Sequence, residues 1–517
     1  MCSASVCRAC LSDHAGRVRR AVIFRPTVMG SAAWRLAAFA VGATLCACTV
    51  GPDFHRPDVT TASSYTATPL AASTVASTGP GGAAQHFVPT DVPGDGWWRA
   101  FGSPALNALV QQALDDSPTL GQASAKLDEA QQDYRAQAGG TLWPQVDANL
   151  STTREKIDPE ALGFGELTQG RSFAPFTLYS AQVTVSYTLD LFGANRRALE
   201  AVAAQVDYQQ YELEAARLTV AGNVVTAAIR RASLARQIAL TESLLAIQMR
   251  QLDIAEQRYK VGGLSEVDLL SQRTLVQQTR ATLPPLRTQL AQTDHQLAIY
   301  LGRAPADLAA THDLAALDLD TLVLPADLPL TLPSTLAQQR PDIRASEALL
   351  HQASANVGVA TANMYPRITL SGSAATERIS VSDLLTGFNV WNVGAGLTQP
   401  LFHGGELLAR KRSSEAAWQA ALAMYKQTVL QGLQQVADAL RALDQDALAL
   451  QALDDAHRSA QRSAGIAGER YASGGISQLT LLDTQRQELQ TGLDRTKAAA
   501  QRYADTAALY QALGARP

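Results

Sequence analysis

The chain has 517 residues, enough for more than one domain, and is 46% hydrophobic but only 6% aromatic. Its formal net charge is −4, and beyond residue 47 it carries 37 basic against 46 acidic residues, which excludes the basic face of a nucleic-acid binder. All five cysteines (Cys2, Cys7, Cys10, Cys46 and Cys48) precede residue 49, so no disulfide or thiolate metal site can form within the rest, and the eight histidines show no metal-ligand spacing.

Residues 1–28 carry several Arg and no apolar core, and they read as a doubtful extension ahead of a true start at Met29. Residues 34–48, "WRLAAFAVGATLCAC", place Arg35 before a short apolar run. A run this short cannot span a bilayer, which takes about 20 apolar residues, and it fits a signal-peptide core over 29–47. The ending "LCAC" resembles the lipobox of bacterial lipoproteins. That resemblance implies cleavage before Cys48, lipid on Cys48 and no other cofactor; Thr49 in place of Asp points to the outer membrane.

Residues 48–103 form one N-terminal segment, of which 58–92 is Thr-, Ala-, Ser-, Gly- and Pro-rich and reads as an extended linker, with order expected from Trp97-Trp98 onward. A first repeat spans 104–302. Leu106, Leu109, Val110, Ala113 and Leu114 give a helical stripe after Pro104. Ser117-Pro118 breaks it, and a second helix is expected to stop at Gly139-Gly140. Strands are expected at 143–154 and 178–189. In the second, Val183, Val185, Tyr187 and Leu189 alternate with Thr184, Ser186 and Thr188. The stretch "GFGELTQG" with Gly163 and Gly165 between them reads as loop. From 194 to 260 there is no Pro, and a helix about 100 Å long is expected at about 1.5 Å per residue. A shorter helix follows, with Pro284-Pro285 expected to kink or break it.

Residues 303–335 are a Pro-, Asp- and Leu-rich connector. The second repeat, 336–517, then restates the first: strands at 366–376 and 390–400, "MYP" for "LWP", "PLFHGG" for "DLFGAN", and a long helix over 406–472. The clearest echo is "VGGLSEVDLL" from Val261 and "SGGISQLTLL" from Ser473, 212 positions apart, each after an Arg-Tyr pair (Arg258-Tyr259, Arg470-Tyr471). Gly262-Gly263 and Gly474-Gly475 accept positive φ, and Ser265 and Ser477 can cap the next helix. These are the tips of two long helical hairpins, with Asp268 and Asp483 near them. The fold class read from this pattern is α+β: long coiled-coil hairpins continuous with four strands, duplicated. Four strands cannot close a barrel, and open edges are not tolerated in lipid, so closure needs several chains.

"CTVGPDFHRP", "GWWRAFGSPALNALVQQAL", "LDLFGANRRALEA", "QRPDIRASEALL" and "RYASGGISQLTLLDTQR", in this order, resemble the TolC-like outer-membrane factors of tripartite efflux systems, in the lipoprotein (NodT-type) subgroup. The resemblance implies a homotrimer with a shared 12-stranded barrel in the outer membrane and a helical tunnel through the periplasm. Its partners would be a periplasmic adaptor at the hairpin tips, an inner-membrane transporter of the resistance–nodulation–division (RND) type, and outer-membrane lipid, with no nucleic acid. It implies a passive multidrug efflux duct and no enzyme activity, with a type I protein-secretion channel as the nearest alternative. It also implies a constriction at Asp268, Asp483, Arg258, Tyr259, Arg470 and Tyr471, with Thr480 standing where some relatives carry an acid. A non-channel structural lipoprotein would lack the strand pairs. A hydrolase would need a catalytic pair, and Asp294-His295 and Asp455-His457 read as surface helix instead.

Overall fold

A computed structural model describes residues 49–58, 64–90, 95–156, 174–310, 314, 316–384 and 386–516. The calls of a lipid on Cys48, of a signal over 29–47 and of a loop at Gly163 and Gly165 lie outside the described residues.

Proline starts the first two helices. Helix α1 (Pro104–Asp116) has Pro at its first turn and a Ser103 cap that accepts from Leu106 N. Helix α2 (Pro118–Leu142) does not stop at Gly139-Gly140; it runs through both. It ends where Pro144 forces Trp143 into the extended region (φ −116°, ψ 149°), a stronger signal than two glycines on an exposed helix face. Helix α3 (Ala194–Lys260) has 67 residues, and α4 (Glu266–Tyr300) returns along it. Pro284 and Pro285 lie inside α4 without breaking it. Buried Leu283 and Val276 hold α4 against its neighbour, and that packing offsets an interior proline penalty of about 3 kcal/mol.

The second repeat follows. Helices α5 (Pro333–Gln339) and α6 (Pro341–Ala362) precede α7 (Glu406–Ala472), again 67 residues, and α8 (Gln478–Ala512). Helix α6 packs on both long helices, α8 on α7 and α3, and α2 on α3. No helix among the described residues is long and apolar enough to cross a membrane.

Two sheets form. Strands β1 (His86–Val88) and β4 (Asp327–Pro329) pair in parallel. Strands β2 (Gln145–Glu155), β3 (Phe176–Leu189), β5 (Arg367–Arg378) and β6 (Val390–Thr398) make an antiparallel sheet in the order β2-β3-β5-β6. The two hairpins join through β3 and β5, with Val185 opposite Gly372 and Leu189 opposite Ile368.

The main core sits midway along the helices. Trp97, Trp98 and Phe101 pack with Leu106, Leu109 and Leu297, and Trp97 stacks on Tyr510 (5.4 Å, 21°). The connector contributes Leu317, Leu319, Leu324 and Leu328 to the same core.

The low-complexity N-terminal segment is ordered earlier than Trp97, against expectation. Arg502 of α8 is fully buried beneath it. Its guanidinium donates to Gly81 O (2.5 Å), Thr74 Oγ1 (3.1 Å), Ala83 O (3.2 Å) and Gln85 Oε1 (3.2 Å). Tyr503 donates to Leu322 O (2.8 Å) and accepts from Gly81 N (2.9 Å). The order comes from contacts made far along the chain, which local periodicity cannot display.

Candidate functional site

Three regions are candidates: the four-stranded sheet, the hairpin tips and the segment that begins at Thr49.

Along the sheet, side chains alternate between its faces. One face carries Val146, Ala148 and Leu150 on β2, Val183, Val185, Tyr187 and Leu189 on β3, Ile368 and Leu370 on β5, and Trp391, Val393 and Leu397 on β6. The other carries Asp147, Asn149, Ser151, Thr184, Ser186, Thr369, Ser371, Ser373, Asn392 and Thr398. The apolar face lies in the open: Leu150 is 77% exposed and Val393 80%. An exposed apolar face backed by a polar one is the pattern of a barrel wall with lipid outside and water inside. The strands have 11, 14, 12 and 9 residues, and about 9–11 tilted residues span a bilayer. Where the sheet meets the helices, a hollow of about 1200 Å³ is lined by Trp143, Phe192, Tyr365, Arg367, Glu406 and Arg410.

At the tips, both repeats build the same turn. Gly263 N donates to Arg258 O (2.8 Å) and Gly262 N to Tyr259 O (3.0 Å); Gly475 N donates to Arg470 O (2.7 Å) and Gly474 N to Tyr471 O (3.0 Å). This is a Schellman closure, so the Arg-Tyr pair supplies its backbone carbonyls to the turn. Only the first glycine of each pair is left-handed, Gly262 at φ 75° and Gly474 at φ 77°. Ser265 then caps α4 by accepting from Asp268 N (3.1 Å), and Ser477 caps α8 by accepting from Thr480 N (3.2 Å).

The structure does not bring the six constriction candidates together within one chain. Asp268 accepts from Ser265 Oγ (2.7 Å) as part of its own helix cap, and its counterpart in the second repeat is Thr480. Asp483 is exposed beside Arg486 (3.3 Å). Arg258, Tyr259 and Arg470 are exposed. Tyr471 reaches Gln478 Oε1 at 3.5 Å. The bond that crosses between hairpins runs from Gln478 Nε2 to Gln272 Oε1 (3.0 Å), and Gln272 Nε2 donates on to Gln248 O (3.2 Å). All three glutamines are buried. The sequence signal for them was available: Gln272 and Gln478 fall in the same helical stripes as Leu269, Val276, Leu481 and Leu482.

The two acid–histidine neighbours have structural roles. Asp294 accepts from Arg231 Nε (2.8 Å), and His457 lies against Thr491 (3.3 Å).

At the start of the chain, residues 49–57 lie on the helices just past the sheet. Val50 N donates to Phe192 O (3.1 Å). Gly51, at φ +98°, crosses Gly358 so closely that a Cβ would stand 2.5 Å from its Cα. Asp53 accepts from Arg197 Nη2 (2.6 Å), and Arg197 also donates to Glu200 (2.8 Å). The Arg197 hydrogen bond and charge hold the Asp53 carboxyl below its ordinary value. Glu200 meets His351 (2.9 Å), and Phe54 stacks on that ring (4.5 Å).

A four-stranded wall segment, apolar outside and polar inside, running into helical hairpins of 67-residue helices defines one protomer of an outer-membrane exit channel. The family model for outer membrane efflux proteins matches twice, over residues 109–303 and 332–515, once on each repeat, and the chain belongs to that family. It is 30% identical over 427 residues to the pyoverdine export outer membrane protein OpmQ of Pseudomonas putida, covering 82% of this chain and 88% of that one. It is 29% identical to the outer membrane protein OprJ of Pseudomonas aeruginosa, over 94% and 96% of the two chains. It is similar in structure to the outer-membrane channel OprN (TM-score 0.77, 28% identity, 90% and 99% covered). The open state of the MtrE outer membrane channel of Neisseria gonorrhoeae aligns with TM-score 0.75 at 26% identity, covering 90% and 98%. The chain is an outer-membrane efflux duct component, placed in the outer membrane and reaching into the periplasm.

Proposed function

We propose that three copies of this chain form a passive duct that carries small molecules out of the periplasm and performs no chemistry of its own. The carrying observation is the sheet: two-faced, four-stranded and open at both edges, so that it becomes a membrane wall only when copied. An inner-membrane transporter of the RND type supplies the energy. A periplasmic adaptor docks on the exposed hairpin tips around Gly262, Gly263, Gly474 and Gly475. Lipid on Cys48 anchors the N-terminus. Thr49, the residue that follows Cys48, lies against Gly193 at the sheet end of α3.

The gate lies at the tips. The buried Gln272–Gln478 bond ties the two hairpins of each chain, and Asp268, Asp483, Arg258, Tyr259, Arg470 and Tyr471 are the constriction residues of this reading. Opening separates the hairpins and breaks that bond.

The test is native mass spectrometry with planar-bilayer recording of the detergent-purified protein. The expected result is a trimer that forms a low-conductance pore. A monomer that leaves the bilayer silent overturns the proposal.

A further inference from the structure

At the end of the four-stranded sheet away from the helices, the alternation of side chains changes character. The residues of β2 that share the apolar face continue as Leu150, Thr152 and Arg154, and those of β5 as Ala374, Thr376 and Arg378. Glu155 and Glu377, next to the two arginines, fall on the polar face. Each of these strands thus ends with its cation turned to the apolar side and its acid to the polar side. Tyr179 of β3 stands between them on the apolar face, paired with Thr152 on one side and Arg378 on the other. Arg378 lies level with Thr152 and two strands over, so the two arginine backbones are separated by about 10 Å across the sheet and about 7 Å along it. Among the described residues no carboxylate pairs with either guanidinium; Arg378 Nη1 donates to Glu377 O (3.1 Å).

The loop from β5 to β6 lies against that same face. Thr376 shares the face with Ala181 and Leu150, yet it is buried, and its Oγ1 donates to Gly387 O of the loop (2.8 Å). Asn389 Oδ1 fastens the loop again by accepting from Glu377 N (2.8 Å). Between loop and wall lies a slot of about 420 Å³, whose apolar lining includes Ala148, Leu150, Ala181, Val183, Leu384 and Phe388. Ile379, Val381 and Phe388 of the loop are each at least 60% exposed, so large apolar side chains stand in the open beside an apolar wall.

We propose that this rim is a binding site for a phosphorylated, acylated lipid of the outer leaflet: the slot takes an acyl chain, and Arg154 and Arg378 take phosphates. The slot is continuous with the apolar wall, which is the membrane face of an outer-membrane channel, so its occupant comes from the bilayer. Tyr179 marks the border between hydrocarbon and water, where barrel walls carry their aromatic girdle. Two guanidiniums without acidic partners at that border favour an anion, and the planar fork of Arg matches phosphate with two parallel hydrogen bonds. Their separation suits a headgroup with a phosphate at each end better than one with a single phosphate. Asp383, the acid of the loop, accepts from Ser382 Oγ (3.2 Å) and pairs with neither arginine. The proposal rests on the sheet being a membrane wall and holds whatever the number of copies.

The experiment titrates the detergent-purified full chain with diphosphoryl lipid A, phosphatidylglycerol or inorganic phosphate, and counts bound molecules by native mass spectrometry. Lipid A is expected to be retained at least about tenfold more tightly than phosphatidylglycerol, a preference lost in Arg154→Gln with Arg378→Gln and partly restored in Arg154→Lys with Arg378→Lys. Restoration by Lys shows that the Gln variant loses the site and not the fold. Leu384→Ser with Phe388→Ser should weaken lipid A binding with both arginines in place. Equal retention of lipid A by the wild type and the Gln variant overturns the site. Equal retention of phosphatidylglycerol makes the rim a general anionic-lipid surface and overturns it as well. Phosphate bound as tightly as lipid A assigns the arginines to a free anion and overturns the lipid. A Leu384→Ser, Phe388→Ser chain that loses its subunit partners but keeps lipid A makes the slot a contact between copies. A chain that stays out of lipid vesicles altogether overturns the membrane wall itself, and the site with it.

Discussion

Arg502, Asp454 and Asp505 are charged or titratable groups at buried positions on α7 and α8, and each has a different consequence. Arg502 organises the N-terminal segment with four hydrogen bonds. Asp454 is 2% exposed and accepts from Arg495 Nε (2.7 Å), with Arg458 at 3.4 Å. Burial opposes its charge, but hydrogen bonds from Thr78 and Arg495 outweigh it and hold the carboxyl below its ordinary value. Asp505 goes the other way: burial first, then the adjacent Asp446 carboxyl, push it up to about 7. Its folded form therefore keeps a proton that the unfolded chain releases near 3.8, so stability falls as pH rises between those values. Asp505→Asn should remove that slope, raising the melting temperature by a few degrees at pH 8 and little at pH 4 when the trimer is melted at both. Arg502→Met should expose the front segment: cleavage within 64–90 by a periplasmic protease is expected to accelerate at least about tenfold, as for a locally opened segment.

At the scale of elements, the duplication was the most legible feature. Period-two alternation marked the strands, proline marked the starts of the shorter helices outside the hairpins, and Gly-Gly-x-Ser marked the tips. What was hidden depended on distant partners. The front segment has no period because Arg502 and Gln85 order it, and α4 survives two prolines because its buried face is held by another helix. At the tips, the turn geometry matches Asp268 with Thr480, and Asp483 lies three residues further along α8. The inter-hairpin bond falls instead to Gln272 and Gln478. A neutral buried hydrogen bond contributes about 1 kcal/mol, and a trimer holds three copies. Gln272→Leu should therefore raise open-channel current severalfold in planar bilayers, and with little dependence on pH or salt, since no charge is lost. Asp483→Ala with Tyr471→Phe tests the alternative latch: if only that variant opens the pore, the glutamine bond is packing and not a gate.

At the scale of the molecule, the sheet and the helices solve different problems. The sheet presents apolar side chains outward and leaves both edges for copies of itself, and the helices bury a core of their own between hairpin pairs. The strap of residues 64–90 belongs to neither, yet it is fastened by α8, the last helix: Arg502 reaches back 428 positions to Thr74 and 421 to Gly81. The strap is thus fully seated only once α8 is in place. Until α8 has been made and exported, the strap can grip only the connector and α7, through β1 on β4, Gln85 on Pro325 O and Thr78 on Asp454. A product truncated ahead of residue 502 would keep its strands and most of its long helices, with the strap held at one side only.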